Sequence, residues 1–376
     1  MVSHFRRRVV LAGLGALSGA FWSGCSSRGV SGKEIGIAVA LDPQRAGMQT
    51  IYNGVQLAVE QLNAASSAQL GGRTFVMVKG AADVRDPVKF ADGFRDDARV
   101  VGVVGHPESG TTLAAIDEYA DTKNGGRNAV VAISPTGTSP ALTKASKWLF
   151  RVCPSDVQSS RAVANFLLDS LHAMRAAIIY RNDSYGKDWA KSFAETYRAR
   201  KGTIVERDPY LQGVTPWYAY AGYLKALKPD VLLFPGSQED ALVLLRAMRD
   251  MGEHLPLIGG DATSGLEDYA TEFPDVRYTA FFQPHRASTP EAKAFIAAYV
   301  ARFASEPDQR AALAYDAAML IGRGAVDVGT DRAKIRDYVE SIGGKRPPFH
   351  GAAGSIAFDE GHDPIDKSVV ITRVGQ

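Results

Sequence analysis

The chain of 376 residues contains only two cysteines, Cys25 and Cys153. Cys25 ends an N-terminal segment unlike the rest of the chain, so the body that follows has a single thiol. One thiol cannot form an internal disulfide, and no Cys or His spacing typical of a zinc site is present. The stability of the body must therefore come from burial of apolar side chains.

Motifs of catalysis and nucleotide binding are also missing. The chain has no G-x-S-x-G elbow, no H-E-x-x-H pair and no Walker loop. The glycine-rich string GLGALSG has no strand before it and does not predict a nucleotide site. The histidines are scattered, and His106 has no nucleophile beside it, so we expect it to orient its loop. The sequence predicts no enzyme, no cofactor and no metal site.

Positive and negative charges nearly balance in the chain beyond residue 25. The formal net charge is +2, and the three arginines Arg6, Arg7 and Arg8 lie in residues 1–25, which contain no acid. The remainder therefore has a net charge of −1, which gives no reason to expect a nucleic-acid partner. Beyond the N-terminal segment, no apolar run approaches the roughly 20 residues of a membrane span.

Residues 1–25 have the pattern of an export signal. MVSHFRRR is a basic segment, VVLAGLGALSGAFW is an apolar stretch of signal-peptide length, and SGC resembles the end of a lipobox. We expect Cys25 to be lipidated, which would be the only link to a membrane. Ordinary cleavage after residues 18–20 is the alternative, and the arginines leave the Sec and twin-arginine routes open. Residues 26–33 are a polar tether.

From residue 34 onward, short apolar segments alternate with amphipathic ones. EIGIAVAL, RTFVMVKG and VVGVVG are typical of buried strands, whereas IYNGVQLAVEQLN and TTLAAIDEYA have helical spacing. The alternation begins afresh after WLFRVCPSD. Such a pattern predicts parallel sheets covered by helices on both faces. The predicted fold class is α/β, with two doubly wound parallel-sheet lobes in tandem.

The end of the chain departs from this rhythm. Helices are predicted at about 290–304, 309–328 and 331–341, followed by strands in GSIAF and SVVITRV. These elements must pack on one lobe or the other. We therefore expect the chain to cross between the lobes more than once.

Hydroxyl groups follow two strands of the first lobe. After VVGVVG come Ser109, Gly110 and Thr111, and then a predicted helix over Thr112–Ala120. Ligands gather at the carboxyl ends of parallel strands, and a helix start binds anions. On its own, however, Ser109 or Thr111 is better interpreted as a plain helix cap. ISPTGTSPALT (133–143) either completes a carboxylate cradle with the first stretch or is an ordinary Pro/Gly loop.

Polar residues also end strands of the second lobe. Tyr185 follows the strand in IIYRNDSYG, Ser237 and Gln238 follow the strand in FPGSQED, and Asp261 follows the strand in LIGGDATSG. An acid at a strand end can hold an ammonium group, or it can cap the turn that follows. Both interpretations of Asp261 stay open on this evidence.

Taken together, these segments resemble the leucine/isoleucine/valine-binding family of periplasmic ABC-transporter receptors, which have the type I periplasmic binding protein fold. The matching stretches occur in the family's order from residue 34 to the end: NGVQLAVEQLN, VVGHPESGTTLAAIDEYA, AISPTGTSPALT, FRVCPSD, YGKDWAKSF, KPDVLLFPGSQEDALVLLRAMRDMG, IGGD, ALAYDAAM and GSIAFDEGHDP. The resemblance implies a three-crossover hinge, with residues 34–152 and 284–351 in the first lobe and 153–283 and 352–376 in the second.

The resemblance also assigns roles within the cleft. It implies that the hydroxyls of Ser109 and Thr138 bind a ligand carboxylate, with help from the backbone near Gly110 and Thr136. Asp261 would pair with the ligand ammonium group, and Tyr185 would close over the ligand.

The chain departs from the family pattern at three places. The usual first-lobe tyrosine falls near Gly47, an aromatic residue of the family is replaced by Ser237, and the acid at 261 is aspartate rather than glutamate. With fewer aromatic side chains, the pocket for the side chain of the ligand is expected to be larger or more hydrated. Some members have a disulfide in the first lobe, and we hypothesise that an Arg85–Glu108 ion pair replaces it.

The function expected from these observations is that of a periplasmic receptor. It would clamp an amino acid or similar small carboxylate between its lobes and deliver it to an ABC permease. Two alternatives are an envelope lipoprotein that regulates another protein and a ligand sensor for a signalling receptor. A transcription regulator with the same lobes is excluded by the export signal and the lack of a helix-turn-helix.

Overall fold

The structure, a computed structural model, describes residues 32–42, 48–66, 68–80 and 86–375. The predicted signal peptide with Cys25 and most of the tether lie outside these residues, as do Gly47 and Arg85.

The chain first builds a lobe around a five-stranded parallel sheet. The elements are β1 (Glu34–Ala40), α1 (Gln49–Ser66), β2 (Thr74–Lys79), α2 (Pro87–Asp96), β3 (Val100–Gly105), α3 (Ser109–Tyr119), β4 (Val131–Ser134) and β5 (Leu149–Arg151). The strand order is β2-β1-β3-β4-β5. β3 and β4 are buried along their whole length, because helices cover both faces of the sheet, and this explains their continuous apolar sequence.

A second lobe follows with the same alternation. Its elements are α4 (Asp156–Asn165), β6 (Arg175–Arg181), α5 (Ser184–Ala199), β7 (Thr203–Tyr210), α6 (Trp217–Leu227), β8 (Val231–Phe234), α7 (Gln238–Asp250), β9 (Leu257–Gly259) and β10 (Arg277–Ala280). These strands pair in parallel in the order β10-β9-β8-β6-β7. The prediction of two doubly wound lobes is confirmed.

The rest of the chain divides between the two lobes. It forms α8 (Pro290–Phe303), α9 (Gln309–Val328), α10 (Arg332–Glu340), the hairpin strands β11 (Phe349–Gly351) and β12 (Gly354–Ile356), and β13 (Val370–Arg373), which is antiparallel to β10. The three helices and two strands predicted for this region are confirmed. The chain passes between the lobes after β5, after β10 and after β12.

The residue boundaries of the lobes stay a prediction. The last of them, between residues 351 and 352, falls inside the hairpin of β11 and β12. Ile356 and Phe358, beyond that boundary, are buried in the core of the first lobe. Because these apolar side chains are packed in the first lobe, the chain passes to the second lobe only after Phe358.

α1 and α9 pack closely beside each other in the first lobe. A Cβ built at Gly54 of α1 would lie 2.2 Å from the carbonyl oxygen of Ala311 in α9, so this approach requires glycine. Asp308 caps α9 by accepting a hydrogen bond of 2.8 Å from the backbone N–H of Ala311. These contacts fix the first turn of α9 at the cleft between the lobes.

Candidate functional site

A cavity of about 110 Å³ lies between the two lobes. It is bordered by residues that follow β1, β3 and β4 of the first lobe and β6, β8 and β9 of the second, together with the start of α9. The described residues that line it are Met48, Pro107, Glu108, Ser109, Thr136, Arg181, Tyr185, Ser237, Gln238, Glu239, Asp261, Ala262, Gln309 and Arg310. Both sheets change strand order here, β1 to β3 in one and β6 to β8 in the other, which is where α/β sheets bind ligands.

Five of the seven predicted site residues line this cavity, namely Ser109, Thr136, Tyr185, Ser237 and Asp261. The other two, Gly110 and Thr138, do not. Gly110 instead faces the second lobe, since a Cβ built there would lie 3.7 Å from Oγ of Ser184 at the start of α5.

The first turn of α3 opens onto the cavity without a side-chain cap. The helix begins at Ser109, three residues earlier than predicted, and Glu108 at the cap position makes no capping hydrogen bond. The hydroxyls of Thr111 and Thr112 donate to the carbonyl of Glu108, and Oγ of Ser109 accepts a hydrogen bond of 3.2 Å from the N–H of Ser139. Interpreting Ser109 or Thr111 as a cap is therefore wrong. The uncapped N–H groups give this helix start a partial positive charge.

Hydrogen bonds join the loop after β4 to the loop after β3. The Thr136 hydroxyl donates to the carbonyl of Pro107 at 2.7 Å, and the Ser134 hydroxyl donates to that of His106 at 2.6 Å. The Thr138 side chain is fully buried, and its hydroxyl lies beside the buried carboxylate of Asp156. The stretch at 133–143 is therefore tied to the start of α3 and is more than a connecting loop.

His106 lies behind these loops, away from the cavity. Its ring is buried between Phe90 and Tyr119, and Nε2 is 2.9 Å from the Tyr119 hydroxyl. Burial lowers the pKa of His106 to about 3, so the ring is neutral at pH 7. Its carbonyl accepts hydrogen bonds from the hydroxyls of Thr112 and Ser134. These contacts agree with the predicted role of orienting the loop.

Asp261 provides a carboxylate on the opposite side of the cavity. Gly260 occupies the cap position of the helical turns Asp261–Tyr269, so interpreting Asp261 as the cap is wrong. The Tyr185 hydroxyl donates a hydrogen bond of 3.1 Å to Oδ1 of Asp261. Burial raises the pKa of Asp261 to about 6, although Tyr185 and the charge of Arg310 act in the opposite direction. A cationic group bound here would stabilise the ionised carboxylate.

Ser237 both lines the cavity and caps α7. Its hydroxyl accepts a hydrogen bond of 3.2 Å from the N–H of Asp240 and donates one of 2.6 Å to the carboxylate of that residue. Gln309 links the lobes next to the cavity: its amide group donates to the carbonyl of Asp261 at 3.0 Å and accepts from the N–H of Phe281 at 2.9 Å.

Two arginines at the cavity, Arg181 and Arg310, were not predicted from the sequence. Arg181 lies 3.6 Å from Glu108 of the first lobe and also pairs with Asp183, whereas Arg310 lies at the start of α9. Arg181 is the last residue of β6. Because ligands gather at the carboxyl ends of parallel strands, the argument that predicted Tyr185 could also have identified Arg181. The proposed Arg85–Glu108 pair stays a prediction, because Arg85 lies outside the described residues.

The described ranges contain no group of three or more His, Cys, Asp and Glu residues suited to a metal ion. No helix within them has the length and apolar character that crossing a membrane requires.

Comparison with known proteins gives consistent matches over most of the chain. The family model described as periplasmic binding protein matches residues 9–375. The Leu/Ile/Val-binding protein BraC3 of Rhizobium johnstonii is 30% identical over 273 residues, which are 71% of each chain.

Two solved structures share the architecture. The branched-chain amino acid transporter substrate binding protein LivJ from Streptococcus pneumoniae, in complex with isoleucine, has a TM-score of 0.78 and 28% identity. The match covers 91% of this chain and 97% of LivJ. An ABC transporter substrate-binding protein from Desulfitobacterium hafniense, complexed with Leu, has a TM-score of 0.77 and 26% identity, with coverage of 91% and 98%.

Proposed function

This chain belongs to the periplasmic binding protein family that includes the Leu/Ile/Val-binding proteins, and on that premise we propose that it is an amino-acid receptor of an ABC transporter. In this proposal the two lobes close on the ligand, and the closed complex delivers it to a membrane permease. The chain performs no chemical reaction on the ligand and needs no cofactor.

The observation behind this proposal is the polarity of the cavity. The uncapped start of α3, with Ser109 and Thr136 beside it, lies on one side, and the Asp261 carboxylate lies on the other. A helix start and the hydroxyl proton of Ser109 suit a carboxylate, since the Ser109 oxygen is only an acceptor in its bond to Ser139. A buried acid suits an ammonium group. An α-amino acid has both groups on adjacent atoms.

The same geometry supports a closing mechanism. Ser109 and Thr136 belong to the first lobe, whereas Tyr185 and Asp261 belong to the second, so a ligand that contacts all four stabilises the closed arrangement. The three passages between the lobes would act as the hinge. Direct contacts between protein side chains also join the lobes. One of them is the hydrogen bond from the Ser139 hydroxyl to the Asp188 carboxylate.

The proposal extends to location. We place the receptor in the periplasm, held to the membrane through a lipid on Cys25. Metabolic labelling with a palmitate analogue tests the lipid, and a Cys25→Ser variant should lose the label.

A thermal-shift screen over amino acids, small amides and aromatic acids tests the proposed function, because bound ligand raises the melting temperature by mass action. We expect an α-amino acid to give the largest shift. Two analogues of that amino acid, one without its carboxylate and one without its amino group, should each lose most of the shift. The proposal is wrong if no zwitterion raises the melting temperature, or if either analogue binds as well as the parent.

A further inference from the structure

We propose that the side chain of the ligand ends in a carboxylate or amide oxygen and that Arg310 binds this oxygen. The preferred ligand would then be an amino acid of the glutamate or glutamine type rather than a branched apolar one. This inference rests on the proposed function, because it concerns the same cavity.

Few of the described side chains at this cavity are wholly apolar. Among the fourteen described residues that line it, only Met48, Pro107 and Ala262 have wholly apolar side chains. Burying an aliphatic group is favourable only when the surrounding surface is also apolar. The composition of this wall therefore favours a polar side chain.

Several donor groups of Arg310 have no acceptor among the described residues of this wall. Its guanidinium lies 3.5 Å from the Asp308 carboxylate, the Arg310 side chain is only 17% exposed, and it makes no hydrogen bond to a described residue. Asp308 already accepts hydrogen bonds from the Thr50 hydroxyl and the N–H of Ala311. A guanidinium has five N–H donors. An aliphatic ligand group would shield these donors from water and offer no acceptor in place of the water molecules. Burying the guanidinium donors in this way costs free energy.

An oxygen acceptor removes this cost. Carboxylate and amide oxygens match the planar guanidinium, and a carboxylate can bind it through two parallel hydrogen bonds. The α-ammonium and α-carboxylate groups of the ligand would be held at Asp261 and at the start of α3. Arg310 is then the charged group left for the end of the side chain.

A cationic side chain fits the same wall poorly. It would face the positive charge of Arg310, and the acids nearby have other partners. Glu108 lies beside Arg181, Asp261 is assigned to the ligand ammonium, and Glu239 is exposed at the rim of the cavity. The arrangement therefore selects against lysine-like and arginine-like ligands as well as against apolar ones.

Isothermal titration of the full mature chain with L-glutamate, L-glutamine, L-leucine and L-lysine tests this inference. We expect glutamate or glutamine to bind the wild-type protein at least tenfold more tightly than leucine or lysine. The Arg310→Met variant removes the guanidinium but keeps a long side chain. It should lose at least tenfold in affinity for the preferred ligand while its affinity for leucine stays constant or rises.

A matched control is Arg249→Met, because Arg249 is an exposed residue of α7 that pairs with Glu272 away from the cavity. This variant should keep the wild-type order of affinities. Tighter binding of leucine by the wild type, with the order unchanged in Arg310→Met, would overturn the inference and leave the proposed function intact. If none of the four amino acids bound, and no other zwitterion did, the proposed function would fail and this inference with it.

Discussion

The Tyr185 hydroxyl donates a hydrogen bond of 3.1 Å to the Asp261 carboxylate, and both side chains are buried at the cavity. Within the part of the chain that the structure describes, Tyr185 is the side chain that donates a hydrogen bond to the Asp261 carboxylate. It orients the carboxylate and supports its ionised form, which burial disfavours. Two predictions concern this pair.

We expect Tyr185→Phe to weaken amino-acid binding by about 1.5–3 kcal/mol, the usual contribution of a hydrogen bond to a charged group. Titration calorimetry at pH 7 measures the loss. Tyr197→Phe is the matched control, because Tyr197 lies on the same helix and its hydroxyl donates to the carbonyl of Ala173, far from the cavity. An equal loss of affinity in both variants would contradict the role of Tyr185.

Amino-acid binding should release a proton near pH 6. In the free protein, burial raises the pKa of Asp261 to about 6, so the group is largely protonated below that pH. An ammonium ligand needs the ionised form, and affinity should therefore fall as the pH drops below about 6. Calorimetry in buffers of different ionisation enthalpy measures the proton release directly.

Variants of Asp261 complete this test. Asp261→Asn should abolish the proton release, and Asp261→Ala should cost on the order of 2–5 kcal/mol of binding free energy because it leaves a buried ammonium group unpaired. Unchanged affinity in Asp261→Ala, or unchanged proton release in Asp261→Asn, would show that another group holds the ammonium.

The sequence was sufficient to predict the two parallel sheets and the residues that end their strands. Ser109 and Asp261 could be found in this way because strand ends in parallel sheets converge at one edge. Arg310 could not, because it follows no strand: it reaches the cavity only because α9 returns to the first lobe and packs on α1. α3 begins three residues earlier than the sequence predicts, because the sequence cannot show that Ser109 bonds to Ser139 instead of capping its own helix.

The ion pair between Glu108 and Arg181 should favour the closed state. The two groups belong to different lobes, lie 3.6 Å apart, and have side chains that are 23% and 14% exposed. We expect Glu108→Gln to weaken ligand binding by about 1 kcal/mol, a small effect because Arg181 keeps Asp183 as a partner. A double-mutant cycle with Arg181→Gln measures the coupling.

The control for this cycle is Arg200→Gln, since Arg200 pairs with Asp169 inside the second lobe. It should leave affinity unchanged. If Glu108→Gln and Arg181→Gln have strictly additive effects on affinity, the pair does not contribute to closure.

Asp316 holds the turn of the β11–β12 hairpin against α9. Its buried carboxylate accepts hydrogen bonds of 2.6 Å and 2.9 Å from the N–H groups of Ala352 and Ala353. Asp316→Ala would leave both N–H groups without acceptors, and we expect a loss of about 2–5 kcal/mol in the free energy of unfolding. Urea unfolding measures it, and Asp117→Ala, at an exposed position of α3, should change stability by less than about 0.5 kcal/mol.

Asp316 should also contribute to the pH dependence of stability. Burial raises its pKa in the folded protein to about 6, even though the charge of Lys367 and the two backbone hydrogen bonds lower it. Because the folded protein then binds the proton more tightly than the unfolded chain, the contribution is fully present below about pH 4 and is lost as the pH rises through 6. The wild type should gain more free energy of unfolding at pH 4.5, relative to pH 7, than the Asp316→Asn variant gains. An identical difference in both proteins would mean that Asp316 stays ionised throughout this range.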